Sequence, residues 1–515
     1  MTIKEFIKNK ILKFLGIERL SSNPNDERLT FISNDDEIKQ SEIKANRVWY
    51  IGSGDELLNY YTEKEVSGFA KNPIYNRNKR NYFWGLSSQE CDIKRIHSGI
   101  PRAIIDTLTN IVGMPSIDEP SKEWDKIAEE NDFSNKLVQQ ARPLTLVCGY
   151  GAWKINFNSD ISEYPLWEFY DAEFVEYIYQ CGVLVGIIFK SFYKNAKNED
   201  FVLLETRYKA QGNSYIEYQL FKLKKGNELQ EVNLDAVPEL KDIPREKQVI
   251  TGLNKILAVP SRYLYDAQNP KYGKSIYSGK LDFFDMLDEI WSQASQTNRV
   301  STPVEYYNPE VLERGNGGFC GVPNLYNRQF VQKAGVPDGD GNINNDIQTT
   351  QPDLNFEKYG ALAFDVLGYI LTGILSPATL GIDVAKRDNA EAQREKEKVS
   401  IMTRNTIIAT ETKMLREIVT LSLMLKEYID TGNITLKDYN IEIKYSEFAN
   451  PSFENELQIL GNAWSQGQLP TKDYVEMLWA DKISDADKLE RIKWLDENKA
   501  KSEDMSGLFN ENEIK

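Results

Sequence analysis

At 515 residues, with 41% apolar and 27% charged side chains, the chain is long enough for about three or four domains and has the composition of a soluble globular protein. Its net charge of −16 argues against tight, field-driven binding to duplex phosphates, which takes a basic surface. No apolar run reaches the roughly 18 residues of a membrane-spanning helix; the longest, 361–375, is broken by Asp365, Gly368 and Gly373.

The first 45 residues open with a basic amphipathic stretch carrying Ile3, Phe6, Ile7, Ile11, Leu12 and Leu15 on one face. It lacks the apolar block of a signal peptide, so it is expected to pack or to dock on a partner, with no membrane involved. Residues 47–88 predict a short helix over DELLNYYTE with aromatic flanks: Trp49, Tyr60, Tyr61, Tyr82, Phe83 and Trp84. The single histidine, His97, stands where the chain enters a helix near Ile100-Pro101, the place of a surface or capping residue. A His-based triad or metal hydrolase would have to rest on it alone. Helices are predicted over 100–113 and about 121–141, the latter with Ser121 as N-cap. The cysteines (Cys91, Cys148, Cys181, Cys320) are scattered, which suits a reducing compartment and argues against a thiolate zinc site.

From Leu144 to Leu223 the pattern turns to strands. YGAWKINFN, LWEFYDAEFVEYIY, VLVGIIFKSFY, FVLLETRYKA and YIEYQLFKL are β-branched and aromatic between Gly and Asn punctuation. A helix follows over 276–300, with Ile276, Leu281, Phe284, Leu287, Ile290, Trp291 and Ala294 as its apolar stripe. Residues 301–352 are rich in Gly, Pro and Asn, with strand candidates only at PVEYY and VPNLY. A small folded projection between two antiparallel helices accounts for them better than a bare loop.

The second of those helices is the apolar stretch 353–375, with Leu354, Leu362, Val366, Ile370, Leu371 and Ile374 at helical spacing and Ser376-Pro377 as its stop. After the short loop PATLGIDVAKRDN, a charged helix of roughly 40 residues starts at AEAQREKEKVSIMTRN and spans about 60 Å. That length is too great for the core of a compact domain and suits an elongated subunit beside copies of itself. NIEIKYSEF (440–448) predicts one more strand, returning to the main sheet.

Three stretches resemble phage portal proteins, those of long-tailed phages of Gram-positive hosts. They are IHSGIPRAIIDTLTNIVGMP (96–115), ILSPATLGID-x5-NAEAQREKEK (374–398) and QLPTKDYVEMLWADKISDADKLERIKWLDEN (468–498). The resemblance implies an α+β, portal-type subunit in which residues 1–45 are an N-terminal arm and 46–275 the first part of the wing. Residues 276–300 and 353–375 would be the stem helices, 301–352 the clip, and 376–389 the tunnel loop. Residues 390–447 would complete the wing with the long kinked helix and returning strand, 448–498 would be a helical crown, and 499–515 a flexible acidic tail. The implied function is structural, with no enzyme activity and no cofactor. A homo-oligomeric ring of about twelve copies would form a channel at one capsid vertex for packaging, retention and ejection of double-stranded DNA. Its partners would be the major capsid protein, scaffold protein, terminase large subunit and head-tail adaptor, in the virion and, during assembly, the host cytoplasm. By the same resemblance Thr379, Asp383, Lys386 and Arg387 are the channel side chains, with Lys386 and Arg387 touching phosphates weakly. At helical spacing the two basic residues also suit pairing with Glu391 or Glu395. Arg394, Glu395, Lys396, Glu397 and Lys398 suit ion pairs between neighbouring subunits.

Other motifs are weak. PDGDGNINND (337–346) alternates Asp338, Asp340, Asn342 and Asn344 like a calcium loop, but Ile343 and Thr349 stand where that loop needs Gly and Glu. RGNGGFCG (314–321) and Gly52-Ser53-Gly54 lack the spacing of a phosphate cradle. Two rival readings remain open at this point: another virion component (minor capsid or tail protein), or a magnesium-dependent nuclease or hydrolase built from the 78 acidic residues.

Overall fold

The computed structural model describes residues 27–62, 81–87, 91–194, 199–223, 229–241, 243–267, 270–301, 304–307, 329–332, 348–350, 356–382, 390–434, 439–446, 460–479 and 487–496. Its helices and mostly antiparallel sheets occupy largely separate stretches of the chain, which makes the fold α+β. Two units emerge, 1–386 with 395–446, and 387–394 with 447–515.

In the first unit, α1 (Glu27–Ile51) runs through position 45 into the aromatic region. Ile43 and Trp49 are fully buried, so residues on both sides of the expected arm boundary belong to one helix of the core. After α2 (Gly54–Thr62) and α3 (Ile100–Val112) comes a short strand, β1 (Pro115–Asp118), then α4 (Glu123–Glu130). The helix expected over 121–141 is broken at Asn131 and Asp132, where Asp132 takes a left-handed φ of 48°. It resumes as α5, made of the helical segments Phe133–Asn135, Lys136–Ala141 (π-helical) and Arg142–Cys148. Helix therefore persists through Leu144, where strand was expected.

Gly149 (φ +90°) ends α5 and brings the backbone against Gly273: a Cβ on Gly273 would lie 2.0 Å from the Gly149 carbonyl oxygen, a closeness only glycine permits. The strand β2 (Gly151–Asn156) pairs with both β3 (Leu166–Asp171) and β10 (Ala258–Ser261) in a three-stranded sheet. A six-stranded antiparallel sheet holds β4 (Val175–Gln180), β5 (Val183–Lys194), β6 (Asp200–Ala210), β7 (Asn213–Leu223) and β8 (Leu229–Val232), with β9 (Gln248–Ile250) on β7. Side chains alternate across a strand, so Val202 and Leu204 enter one cluster with Ile178 and Ile188. Phe201 and Leu203 enter another, under Leu234, Val237 and Leu240. Both faces of β6 are thus covered.

The helix α6 (Leu281–Val300) starts five residues later than the 276–300 pattern indicates, because Ile276 to Lys280 form turns bonded back to Leu146 and Ser275. Three short strands, β11 (Val304–Tyr307), β12 (Gln329–Gln332) and β13 (Gln348–Thr350), form one sheet between α6 and α7 (Phe356–Leu371). PVEYY is among them; VPNLY lies outside the described residues.

The long helix α8 (Ala390–Thr431) has 42 residues, about 63 Å at the usual rise. Contrary to the sequence expectation, it is the rod of an extensive core. Met414, Leu415, Ile418, Val419, Leu421, Met424 and Leu425 pack with Trp124, Phe133, Trp153 and Trp167. Trp124 stacks on Trp167 at 5.1 Å, and the Trp167 indole donates to the Ser422 hydroxyl at 3.0 Å. The helix carries charge into this core as well. Arg142 and Glu411, both fully buried, form a two-pronged pair at 2.6 and 2.9 Å; Tyr445 donates to the same carboxylate at 2.8 Å. Arg404 donates to the carbonyls of Ile111 and Ser446. Among the described residues the strand β14 (Glu442–Tyr445) pairs antiparallel with β1 alone, Ile117 opposite Ile443. It returns to a strand that the sequence pattern did not reveal, not to the main sheet.

In the second unit, helical residues 460–465, α9 (Thr471–Trp479) and helical residues 487–496 pack around Tyr474, Val475 and Leu478, with Trp464 stacked on Tyr474 at 5.5 Å.

Candidate loop collar and its anchors

The helices α6 and α7 lie antiparallel. Phe283 stacks on Tyr369 at 5.8 Å, and the Lys280 ammonium donates to the carbonyls of Tyr369 (2.8 Å) and Thr372 (3.3 Å). Towards the other end, Thr297 and the Tyr359 hydroxyl are 3.3 Å apart. On α7 the buried face is Ala363, Val366, Leu367, Ile370 and Leu371. Leu362, expected inside, is 42% exposed, and Phe364 and Tyr369 are each 60% exposed. Val366, Ile370, Leu371 and Ile374 are buried as the spacing indicates, and the small Ala363 takes the inward place expected of Leu362. On α6, Trp291 likewise faces outward and Ser292 inward.

The helix α7 ends at Gly373, whose φ of +77° turns the chain before Ser376-Pro377 is reached. Here the sequence named the wrong terminator: a left-handed glycine stops a helix as surely as a proline does. Ile374, Leu375, Ser376 and Ala378 are buried. The Ser376 amide donates to the Ser400 hydroxyl on α8 at 2.9 Å, and the Thr379 and Ser400 hydroxyls are 2.7 Å apart. The Ser376 hydroxyl accepts from the Ala378 amide at 3.2 Å, and Ile382 N–H donates to the Pro377 carbonyl at 3.1 Å. Thr379 is therefore fastened and half-buried. Asp383, Lys386 and Arg387 lie outside the described residues, as do the side chains of Glu391 and Arg394 to Lys396.

A second anchor sits on α6, and it corrects the expectation for His97. That side chain is buried and its Nδ1 lies 2.7 Å from the Asp288 carboxylate. Asp288, with no exposure, also accepts from the Trp84 indole at 3.1 Å and from the Ser98 amide at 2.8 Å. One turn earlier, Asp285 accepts from the amides of Phe83 (2.7 Å) and Trp84 (3.3 Å). Asp282 takes the Tyr82 hydroxyl at 2.7 Å, and Ser292 accepts from the Ile96 amide at 2.9 Å. One helix face thus pins the segments 82–84 and 96–98. Burial pushes the Asp285 carboxyl up to about 7, helped by the charges of Asp288 and Glu289 and opposed by its two backbone donors. The helical spacing of Asp285 and Asp288 is plain in the sequence; their inward direction is not, since acidic residues at helical spacing usually face water.

Ser53, in the glycine pair that suggested a cradle, accepts from the amides of Glu56 and Leu57 and caps α2. The stretches 314–321 and 337–346 lie outside the described residues. Among the described residues no three His, Cys, Asp or Glu side chains converge as a metal site requires, and no helix is long and apolar enough to cross a membrane.

No family model matches the chain, and no curated protein matches it. Among solved structures, a chain from the virion of the native gene transfer agent particle is similar over 73% of this chain and 88% of that chain, at 13% identity and a TM-score of 0.35. A chain from the neck of the native gene transfer agent particle, computed with C12 symmetry, covers the same shares at 12% identity and a TM-score of 0.36. Likeness at that level assigns this chain neither a family nor a function.

Proposed function

We propose that the chain is a portal subunit, a non-enzymatic virion protein that closes into a ring and lets double-stranded DNA through. The observation that supports this most is the antiparallel pair α6 and α7, which carries a small sheet between its ends and a fastened turn after it. Exposed Phe364 and Tyr369 on α7 give the pair an apolar flank that a neighbouring copy would cover. The chemistry is electrostatic and mechanical. A net charge of −16 per chain makes an acidic wall that repels phosphates without holding them. Lys386 and Arg387 in the segment 376–389 then supply weak, sequence-independent contacts. Energy for DNA movement comes from a separate terminase, and the sheet of β11, β12 and β13 meets the head-tail adaptor.

Negative-stain images and light scattering of the purified chain test this. Rings with a central hole are expected. Monomers at every concentration, or magnesium-dependent nuclease turnover, would overturn the reading in favour of a different virion component or an enzyme.

A further inference from the structure

The turn after α7 is a closed knot fastened to the long helix, and its fastening is polar. Ser400 has no exposed surface, yet its hydroxyl meets two groups of the knot: the Ser376 amide at 2.9 Å and the Thr379 hydroxyl at 2.7 Å. One hydroxyl can accept twice and donate once, so a single side chain serves both contacts. Inside the knot, Thr379 N–H donates to the Ser376 carbonyl at 3.0 Å and Gly381 N–H to the Ala378 carbonyl at 3.1 Å. A left-handed glycine precedes it, Gly373 at φ +77°, and a second lies within it, Gly381 at φ +75°, each with open space where a Cβ would stand. Glycines of this kind turn with little steric cost. The knot is therefore an internally bonded piece that follows a glycine turn and is held to the long helix by Ser400.

We propose that Ser400 is a positioning residue, a hydroxyl latch that fixes residues 376–382 on the long helix and so sets where the chain departs towards Asp383. That this departure point aims a channel loop rests on the portal reading; the latch itself does not. A serine hydroxyl suits a latch meant to open, because its two bonds can be exchanged for water without leaving a charge behind.

Hydrogen exchange of the full-length protein, resolved to single amides in the segment 374–382, tests the latch. Ser400→Ala should speed exchange of the Ser376 amide by about tenfold, since that amide loses its acceptor. Thr379→Val, which keeps the shape and removes one hydroxyl, should give roughly a threefold rise. Thr379→Ser restores the hydroxyl and should restore protection. The thermal midpoint should move little in all three. Unchanged Ser376 exchange in Ser400→Ala, or in Thr379→Val should the alanine variant not fold, overturns the latch. Equal exchange in Thr379→Val and Thr379→Ser overturns it too, because shape would then matter and the hydroxyl would not. Rings with unaltered exchange sink the latch and keep the portal reading; monomers with the graded pattern do the reverse.

Discussion

The long helix α8 turns some of its charged and polar side chains inward, whereas α7 turns aromatic rings outward. Glu411, Arg404, Ser400 and Ser422 on α8 are buried, and each meets a partner inside the same unit. On α7 the large rings Phe364 and Tyr369 lie mostly in solvent, while the small Ala363 is covered. The contrast separates two tasks. A buried charge with its partners in place is costly to disturb and fixes one internal arrangement. Large apolar groups left mostly outside, Phe364 above all, contribute little within the protomer and mark a surface that another molecule would cover.

The comparison breaks most sharply at Glu411. Replacing it with Ala leaves the Arg142 guanidinium charged and dry, which should cost about 3–5 kcal/mol, read as a fall in the urea midpoint. Changing both partners, Arg142→Met with Glu411→Leu, should cost much less, because no orphan charge remains. A double variant as unstable as the single one would show that the pair acts through shape.

Asp288 comes next. With Ala in its place, the Trp84 indole, the Ser98 amide and His97 Nδ1 lose their acceptor together. A loss of about 2–4 kcal/mol is expected, measured by denaturant unfolding. Tryptophan fluorescence should shift in the same variant, since Trp84 is fully buried beside it.

Asp285 gives a pH-dependent effect. Its carboxyl titrates at 3.8 when free and at about 7 in the fold, so between those values the folded state holds a proton that the unfolded state has released. Its contribution to stability is fully present below about pH 4 and is lost as pH rises through about 7. Asp285→Asn, which cannot ionise, should flatten the stability profile between pH 4 and 7. An unchanged slope would place the proton elsewhere.

These anchors show what could be foreseen. The strands from Gly151 to Leu223 and the extent of α8 follow from local pattern, because β-branched runs and a 42-residue stretch free of Pro and Gly declare themselves. The burial of α8 does not: a helix rich in Glu, Lys and Arg resembles a solvated one until Arg142, 269 residues away, is brought to Glu411. Strand β1 escaped notice because four residues, PSID, hold too little pattern, and only pairing with β14 defines them. His97 resembled a surface cap for the same reason, its partner Asp288 lying 191 residues along the chain. Of the four residues proposed for a channel, Thr379 lies among the described residues, and its hydroxyl contact with Ser400 depends on a fold-level approach of two distant segments.

The gentlest change falls on α7 and separates protomer stability from assembly. Phe364 is 60% exposed, so Phe364→Ser removes little that is buried and should alter the unfolding free energy by no more than about 0.5 kcal/mol. Leu367, one turn on and buried against α6, serves as the control, with Leu367→Ala expected to cost about 2–5 kcal/mol. If neighbouring copies cover the outer flank, Phe364→Ser should shift light-scattering mass towards the monomer while the urea midpoint holds. Leu367→Ala should lower the midpoint instead. A loss of stability in Phe364→Ser comparable to that in Leu367→Ala would mean that the ring packs within its own chain, and the apolar flank would no longer argue for a neighbour.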